Sequence, residues 1–539
     1  MKNFTYKLHM AAIMAAGVLA AGSCSNFEDI NLDPDSTTTV NASLIATGLI
    51  TNMVTSANSN GSDVLQKQLF WPEGKPNTNQ YNWFSNTSFD DIGNLTNGQK
   101  MVEMASESMK DSYSGLYYFM KGWHFWRSTM EVGDMPYSQA LDINNYKYPE
   151  FDAQKDVFAG ILSDLEQADS YFAKAQYNFQ GDPFYGGDVK KWRMATNVLR
   201  LKVLMSLQKR AEDTPDLKIK ETFQKVYSEG NLFKSNADNL QAEYSESPAS
   251  NRNPLHNTIS KANDTYWSAG KMLVDPFKEY KDIRLFYYFS PAEALTVPAI
   301  YEKAKKDGAI PADQPMLTAD NWDAYNGMDV AAVFSEEIVI WGNNLQSKTN
   351  EIYRWSYTGV PSIRLGYADM NLVLAEAAER GWISGSAKSF YDEAVRANFS
   401  FIKQYYTSFT YAGVTYDPTH GVAITDGYVD NYLSTPSKTA YATSGSQTDR
   451  LHQIWMQSYL ASFFHLAYDE YFNYRRTGYP EWPVNPASNL NDGDPTRIPM
   501  RWLYPTSEYN YNNDMREAAV KAQGWGAEET VNDVMWIIK

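Results

Sequence analysis

Apolar residues recur at the spacing of a helix through several long stretches of the chain. Residues 151–172 give a clear case, with Asp152 placed to cap the first turn. The apolar face of this predicted helix consists of Phe158, Ile161, Leu162, Leu165 and Ala168. Such a face needs a partner to cover it, so the pattern predicts a body of packed helices.

A second pair of helices is predicted around residue 380. The first helix ends at Gly381, a residue that suits the C-terminal end of a helix, and the second runs from about Ser386 to Tyr406. The apolar stripe of the first helix consists of Ile363, Tyr367, Met370, Leu374 and Ala377. Alanines along both helices would let them approach closely as an antiparallel pair, as in tetratricopeptide hairpins, although no regular repeat of about 34 residues is visible.

Long stretches rich in Tyr, Asn, Gly and Pro separate the predicted helices. They span residues 62–98, 233–262, 286–360 and 406–448. Connections of this length carry function or pack as irregular structure. The predicted fold class is therefore all-α for the most part, with one large unit over residues 39–539 and long irregular loops.

The only cysteine of the chain, Cys24, follows an apolar segment that has two lysines ahead of it. That segment, residues 10–21, is shorter than the ~20 residues that a membrane-spanning helix needs. The layout predicts a lipoprotein signal peptide over residues 1–23, an acylated Cys24 and a flexible tether over residues 24–38. An ordinary secretory signal with an incidental cysteine is the alternative.

Composition narrows the possible partners. The formal net charge is −17, and such a surface repels phosphate backbones, so no nucleic-acid partner is expected. Aromatic residues make up 14% of the chain, with 38 Tyr and 15 Trp. Tyr and Trp combine an apolar ring with a hydrogen-bonding group, so their excess indicates a binding face.

The sequence carries no recognisable catalytic motif. A nucleophile elbow, a zinc-protease helix, a phosphate-binding loop and a dinucleotide fingerprint are all absent from it. Two carboxylates at the separation used by glycosidases remain an alternative among 64 Asp and Glu residues. No cofactor and no metal ligand is predicted, although the oxygen-rich segments 425–431 and 491–495 leave a structural calcium ion open.

Six segments resemble the signature segments of SusD/RagB-type outer-membrane lipoproteins, and they occur in that family's order. The segments are GDMPYSQAL (133–141), YPEFDAQKDVFAGILSDLEQA (148–168), DPFYGGDVKKWRMATNVLRLKVLM (182–205), AEAAERG (375–381), YRRTGYP (474–480) and RWLYPTSEYNYN (501–512). The start CSNFEDINLDPD resembles the family's tether as well. The resemblance covers nearly all of the chain after the predicted signal.

The resemblance implies a SusD-like fold with divergent tetratricopeptide-type helix pairs, and a role without catalysis. Members of this family lie at the cell surface, anchored by lipid to the outer membrane, and cap a SusC-like TonB-dependent transporter. They hold an oligosaccharide, or sometimes a peptide, for import. A peptide ligand and a structural or assembly role for a surface lipoprotein are therefore the alternatives to glycan binding.

Two aromatic loops are the predicted ligand site. A sugar ring offers apolar C–H faces and a rim of hydroxyls, so its sites combine exposed aromatic rings with amide and carboxylate groups. The resemblance implies stacking rings in the loop at 70–86 and in loops of the middle third, here 320–327. The predicted site residues are Trp71, Tyr81, Asn82, Trp83, Trp322, Asp323, Tyr325 and Asn326. The alternative is that these rings pack their loops onto the helices.

Replacing Cys24 by alanine should release the protein from the membrane and leave its body folded, because the tether is predicted to lie outside the packed helices. Cell fractionation with immunodetection measures the release, and circular dichroism of the released form measures the helix content. A Cys24→Ala variant that stays in the outer membrane of cells lacking the transporter would contradict the lipoprotein assignment.

Overall fold

Helices form most of the chain that the computed structural model describes, which is residues 41–55, 60–71, 82, 84–436, 438–465, 467–491 and 493–539. The predicted signal peptide, Cys24 and the tether to residue 38 lie outside these residues. The helices of the first half are α1 Ala42–Thr55, α2 Asn60–Leu65, α3 Asp90–Gly93, α4 Leu95–Met104, α5 Lys110–Val132, α6 Gln154–Lys174, α7 Val189–Ser206, α8 Ile219–Glu229, α9 Lys261–Thr265 and α10 Lys271–Tyr280. The helices that follow are α11 Arg284–Tyr288, α12 Glu293–Thr296, α13 Pro298–Lys306, α14 Phe334–Gly342, α15 Glu351–Trp355, α16 Tyr367–Glu379, α17 Ala387–Tyr405, α18 Asp426–Ser434, α19 Gln447–Ala461, α20 Asp469–Thr477, α21 Thr506–Tyr511 and α22 Asn513–Ala522.

Short strands lie between the helices and pair antiparallel. They are β1 Leu69–Phe70, β2 Leu240–Ala242, β3 Ser268–Ala269, β4 Phe289–Ser290, β5 Lys348–Thr349, β6 Ser362–Leu365, β7 Phe409–Tyr411 and β8 Val414–Tyr416. Four of them form one sheet in the order β1-β3-β5-β4, while β2 pairs with β6 and β7 with β8. The prediction of a mostly helical fold is confirmed.

Neighbouring helices in the sequence pack against each other in space. Helix α5 packs on α6, α6 on α7 and α7 on α8, and α16 packs on both α17 and α19. Helix α7 also contacts α16, which joins the two groups. This packing of each helix on the next one in sequence is typical of tetratricopeptide-type hairpins, because each helix covers the apolar face of the one before it.

The ends of the predicted helices are only partly as expected. Ser386 caps α17 by accepting a hydrogen bond from the backbone of Ser389, and Gly381 follows α16 with a φ of +72°. The interpretation of Ile363 as helical was wrong, because residues 362–365 form β6 and α16 starts at Tyr367. A strand of four residues is too short for its pattern to differ from one helical turn.

Asp152 does not cap α6, so this prediction was also wrong. The helix starts at Gln154 after Ala153, which provides no side-chain cap. The Asp152 carboxylate instead accepts hydrogen bonds from the backbone N–H groups of Tyr137 and Ser138 at 2.9 and 2.8 Å. It therefore closes the loop that connects α5 to α6.

Two large apolar clusters support the chain. The first lies among α5, α6 and α7 and also includes α1 and the carboxy-terminal residues. The second lies beneath the four-stranded sheet and reaches α17 and α19. The long stretches predicted as functional insertions or packed irregular structure thus contain a core of their own. No helix in the described part of the chain is long and apolar enough to cross a membrane.

A buried network of charges ties four helices together. Lys202 of α7 lies 2.7 Å from the carboxylate of Asp369 in α16 and 2.7 Å from that of Asp469 in α20. Arg127 of α5 pairs with the other oxygen of Asp469. Burial works to raise the pKa of Asp469, but the two cations outweigh it and lower that pKa. The network is therefore charged in the folded protein at neutral pH.

Two other buried carboxyl groups have a raised pKa, in contrast to Asp469. Burial raises the pKa of Asp63 in α2 and of Glu470 in α20 to about 7 in each case. Asp63 accepts a hydrogen bond from the backbone of Phe464 at 3.1 Å, and Glu470 accepts one from Ser458 at 2.8 Å. Neither group pairs with a cation among the described residues, so each is costly to ionise.

Glu470→Gln and Asp63→Asn should make the protein less sensitive to rising pH. Between pH of about 4 and 7 the folded protein keeps protons that the unfolded chain has lost, so wild-type stability from these groups falls as pH rises through this range. Each amide substitution removes this loss in the free energy of unfolding, which is on the order of 3 kcal/mol at pH 8. Urea unfolding at pH 5 and pH 8 measures it, with exposed Glu107→Gln as the control. If the variants showed the same pH dependence of stability as the wild type, the raised pKa values of Asp63 and Glu470 would be contradicted.

Candidate functional site

Strand pairing brings two tryptophans together at one end of the four-stranded sheet. Strand β1 pairs with β3 in the register Leu69 with Ala269 and Phe70 with Ser268. The next residue along β1 therefore lies opposite the residue that precedes β3. These residues are Trp71 and Trp267, whose ring centres are 5.3 Å apart. Trp267 is buried and Trp71 is half-buried, so the pair presents the ring of Trp71 to solvent.

A second pair of rings involves the residue before Trp267. Tyr266, which precedes Trp267, stacks on Trp341 of α14 with ring centres 6.2 Å apart and planes at 20°. Both rings are half-buried, and Val339 on the same helix is 62% exposed. We call Trp71, Tyr266 and Trp341 the ring surface. It combines flat apolar faces with hydrogen-bonding groups at their edges.

Sequence reasoning found only Trp71 of this group. Tyr266 and Trp341 come from segments that are distant in sequence and meet through strands of two residues. Strands this short have no periodic pattern, so nothing in the sequence indicated the pairing. The available signal was the adjacent pair of aromatic residues at 266 and 267, which by itself does not identify a site.

The structure describes only some of the residues predicted as ligand-binding in the loop at 70–86. Tyr81 and Trp83 lie outside the described residues. Asn82 is buried, and its side chain accepts a hydrogen bond from Lys67 at 2.9 Å and donates one to Asn489 at 2.9 Å. Asn82 therefore anchors the loop and presents no surface to a ligand in this arrangement. Burial lowers the pKa of the Lys67 ammonium to about 7.

The second predicted loop, residues 320–327, is divided between solvent and core. Trp322 is half-buried, with its ring 4.6 Å from that of Phe286 and the Lys281 ammonium 5.0 Å from its centre. Asp323 beside it is exposed. Among the described residues no ring contact joins Trp322 to the ring surface. Trp322 and Asp323 therefore form a separate accessible spot.

Tyr325 and Asn326 hold this loop in place. Tyr325 is fully buried and its hydroxyl donates to the carbonyl of Ala319 at 2.8 Å. Burial raises the pKa of this phenol well above its ordinary value. The Asn326 side chain donates to the carbonyl of Leu345 at 2.9 Å. Tyr325 therefore serves packing, and Asn326 fixes the loop beside β5.

Buried polar atoms without a partner occur next to the ring surface. The indole N–H of Trp267, Oε2 of Glu337 and Oε1 of Gln346 have no hydrogen-bond partner within the described part of the chain. Glu337 lies one turn before Trp341 on the same face of α14. Burial raises the pKa of Glu337, and the nearby Asp329 raises it further. Unpaired groups of this kind gain most from a hydrogen bond to a ligand or water.

A metal centre is not indicated. No group of three or more His, Cys, Asp and Glu side chains that could hold a metal ion occurs among residues that the structure describes. Asp492, in one of the oxygen-rich segments, lies outside those residues. The site as described offers rings, amides and carboxylates, which bind polar ligands with apolar faces.

The sequence from residue 33 to 505 matches the model of a SusD-like family described as starch-binding and associating with the outer membrane. The chain belongs to this SusD-like family. The resemblance found in the six sequence segments is therefore confirmed. Proteins of this family bind nutrients and are not enzymes.

Solved structures agree with the SusD-like assignment. A SusD homologue from Bacteroides fragilis is 40% identical, with a TM-score of 0.82, and the match covers 93% of this chain and 100% of that one. A proposed outer-membrane, nutrient-binding protein from Bacteroides vulgatus is 29% identical, with a TM-score of 0.79 over 93% and 100% of the chains. A chitin-binding protein, 21% identical, has a TM-score of 0.69 over 92% and 100%, and supports the fold alone. No curated protein matches the sequence.

Trp341→Ala should lower the stability of this SusD-like protein much less than Trp267→Ala, which should lower it by about 3–5 kcal/mol. The reason is that Trp267 is 5% exposed inside the second apolar cluster, whereas Trp341 is only half-buried and lies outside that cluster. Urea unfolding of both variants measures the difference. Equal losses of stability would mean that Trp341 is a packing residue.

Proposed function

We propose that this SusD-like protein captures an oligosaccharide on the ring surface at the outer face of the outer membrane. It then delivers the oligosaccharide to a SusC-like TonB-dependent transporter, which it caps. The observation that supports the ligand class is the set of half-buried rings of Trp71, Tyr266 and Trp341, which combine apolar faces with indole and phenol groups that can hydrogen-bond. This combination matches the two kinds of surface that a sugar presents.

Stacking supplies the apolar part of the binding energy. Covering an indole with a sugar face removes apolar surface from water at ~25 cal/mol per Å². Tyr266 and Trp341 stack on each other with planes at 20°, so each ring holds the other in a fixed orientation before a sugar binds. Rings fixed by strand pairing and by α14 lose little freedom on binding, which favours affinity.

The membrane anchor and the transporter belong to the same proposal. Cys24 after its apolar segment supports lipid attachment, and three acyl chains anchor stably where one chain does not. The family description supports the outer membrane as the location. A ligand held on this protein at the outer face of the outer membrane needs a transporter to pass inward.

Trp341→Ala and Trp71→Ala should each weaken oligosaccharide binding about tenfold, since a well-placed aromatic anchor contributes more than ~1.4 kcal/mol. Isothermal titration of the mature protein against a panel of plant, microbial and host glycans measures this effect. Tyr177→Ala is the matched control, because Tyr177 is 55% exposed in the connection after α6.

Two outcomes would contradict the proposal. Binding of peptides but of no glycan in the same panel would favour the peptide alternative. If Tyr177→Ala lost glycan binding and the tryptophan variants did not, the glycan would bind at a surface other than the ring surface. The transporter is tested separately by purifying the tagged chain from solubilised outer membranes, where recovery without a TonB-dependent transporter would count against the complex.

A further inference from the structure

A cleft of about 690 Å³ opens on a different part of the surface from the ring surface. Its walls come from residues 183–185, from the segment 236–244 that includes β2, and from the end of α17. Four half-buried rings line it, and we call it the tyrosine cleft: they are Phe184, Tyr185, Tyr244 and Tyr405. The volume lies within the ~300–1,000 Å³ range of small-molecule sites. None of the ring-surface residues borders it.

Three polar side chains form a connected network within the cleft. The Gln241 amide donates to Oε1 of Glu243 and to the hydroxyl of Tyr405, both at 2.9 Å. The Tyr405 hydroxyl donates to the same carboxylate oxygen at 3.1 Å. Gln241 and Glu243 are two residues apart in an extended segment, so both side chains leave the same face. The network therefore holds an amide, a phenol and a carboxylate in fixed relative positions.

Glu243 keeps acceptor capacity for a ligand. Its carboxylate is exposed, and its second oxygen, Oε2, has no hydrogen-bond partner among the described residues. Burial raises the pKa of the Tyr405 phenol, so this group stays protonated. A hydroxyl group of a ligand can donate to Oε2 of Glu243 without displacing any internal bond.

One wall of the cleft is held rigid by a buried carboxylate. Asp182 accepts hydrogen bonds from the backbone N–H groups of Phe184, Tyr185 and Gly187 at 2.8, 3.2 and 2.9 Å. The Tyr185 hydroxyl in turn donates to the carbonyl of Asp238 at 2.5 Å, which joins this wall to the next segment. The two rings of this wall are thus oriented before a ligand arrives, which lowers the entropy cost of binding.

The two cations of the cleft are already engaged. Lys191 donates to the carbonyl of Ala237 at 3.0 Å, and its ammonium lies 5.4 Å from the centre of the Tyr185 ring. Arg252 donates to the carbonyl of Glu246 at 2.9 Å and stacks on Tyr357 at 4.0 Å. Both cations keep their positive charge, and together with the Glu243 carboxylate they leave the cleft lining without a large excess of either sign, so a strongly charged ligand is not required. The rings and the Glu243 carboxylate suit a ligand that has apolar faces and hydroxyl donors, and neutral pyranose units have both.

We propose that the tyrosine cleft is a second carbohydrate site of this protein, which takes neutral pyranose units independently of the ring surface. The proposal rests on the proposed function for its ligand class, but not for its position. Two sites on one chain would hold a long glycan with higher avidity than either site alone, provided that the glycan spans both.

The test compares cleft variants in two backgrounds. Maltoheptaose, cellohexaose and chitohexaose are titrated against the mature protein, against Trp341→Ala/Trp71→Ala, and against both forms carrying Glu243→Gln and Tyr405→Phe. We expect a bound sugar in the Trp341→Ala/Trp71→Ala protein, and a loss of about tenfold or more in affinity when the cleft substitutions are added. Glu246→Gln is the matched control, since this nearby acidic residue is exposed and does not line the cleft.

Stability and position are measured in parallel. Both cleft substitutions keep shape and remove a charge or a hydroxyl, so the melting temperature should stay within about two degrees of the parent. A spin label attached to a Ser250→Cys/Cys24→Ala variant, in the cleft wall, should broaden the NMR signals of a bound sugar by paramagnetic relaxation.

The outcomes separate this proposal from the proposed function. If the cleft variants bind every sugar as the parent does, while the tryptophan variants lose binding, the tyrosine cleft is overturned and the ring surface stands. If the cleft variants lose binding and the tryptophan variants do not, the cleft stands and the ring-surface assignment fails. Binding of a lysine-rich peptide in the cleft, with none of the three sugars bound, would overturn the carbohydrate proposal.

Discussion

Lys202 is the largely covered charge on which the arrangement of the helices depends. Its ammonium contacts the carboxylates of both Asp369 and Asp469, and Arg127 holds Asp469 from the other side. The four residues belong to four helices, α5, α7, α16 and α20, so parts of the chain that are distant in sequence must meet at one point. Removing one member of such a buried group costs about 3–5 kcal/mol, because a charge is left unpaired. The helices of the second half are thereby fixed against those of the first.

The short strands that carry the ring surface depend on this fixed frame. Each strand of the four-stranded sheet has two residues, far fewer than an independently stable sheet requires. Their support comes from the apolar cluster beneath them and from Arg284, which pairs with Asp282 while both are fully buried. The same guanidinium donates to Asn398 of α17 and Gln457 of α19 at 2.8 Å each. The sheet is thus positioned by the long helices, and so are the rings at its end.

The helices and the mostly helical fold class could be predicted from the sequence, because long amphipathic segments repeat a helical pattern. The family was predicted from six segments that resemble its signature segments. The candidate site could be predicted only in part. Trp71 and Trp322 are accessible, but Tyr325 is buried and Asn82 is an anchor. Composition indicates that rings are in excess without indicating which of them face solvent. Tyr266 was missed because its neighbours in space come from distant segments through strands with no period.

Burial separates the rings that support the protein from those that can bind a ligand. Trp267 and Trp71 touch at 5.3 Å, yet one is 5% exposed and the other is half-buried, so one ring pair contains both a core residue and an accessible one. A ligand that stacks on Trp71 therefore meets a ring whose rear face is already packed. Such a ring has little freedom left to lose, and the contact energy of stacking is retained as affinity. The same reasoning applies to Tyr185, which packs edge-on against the buried Trp192 at 5.5 Å. In both places the core fixes the orientation of the aromatic surface that faces solvent.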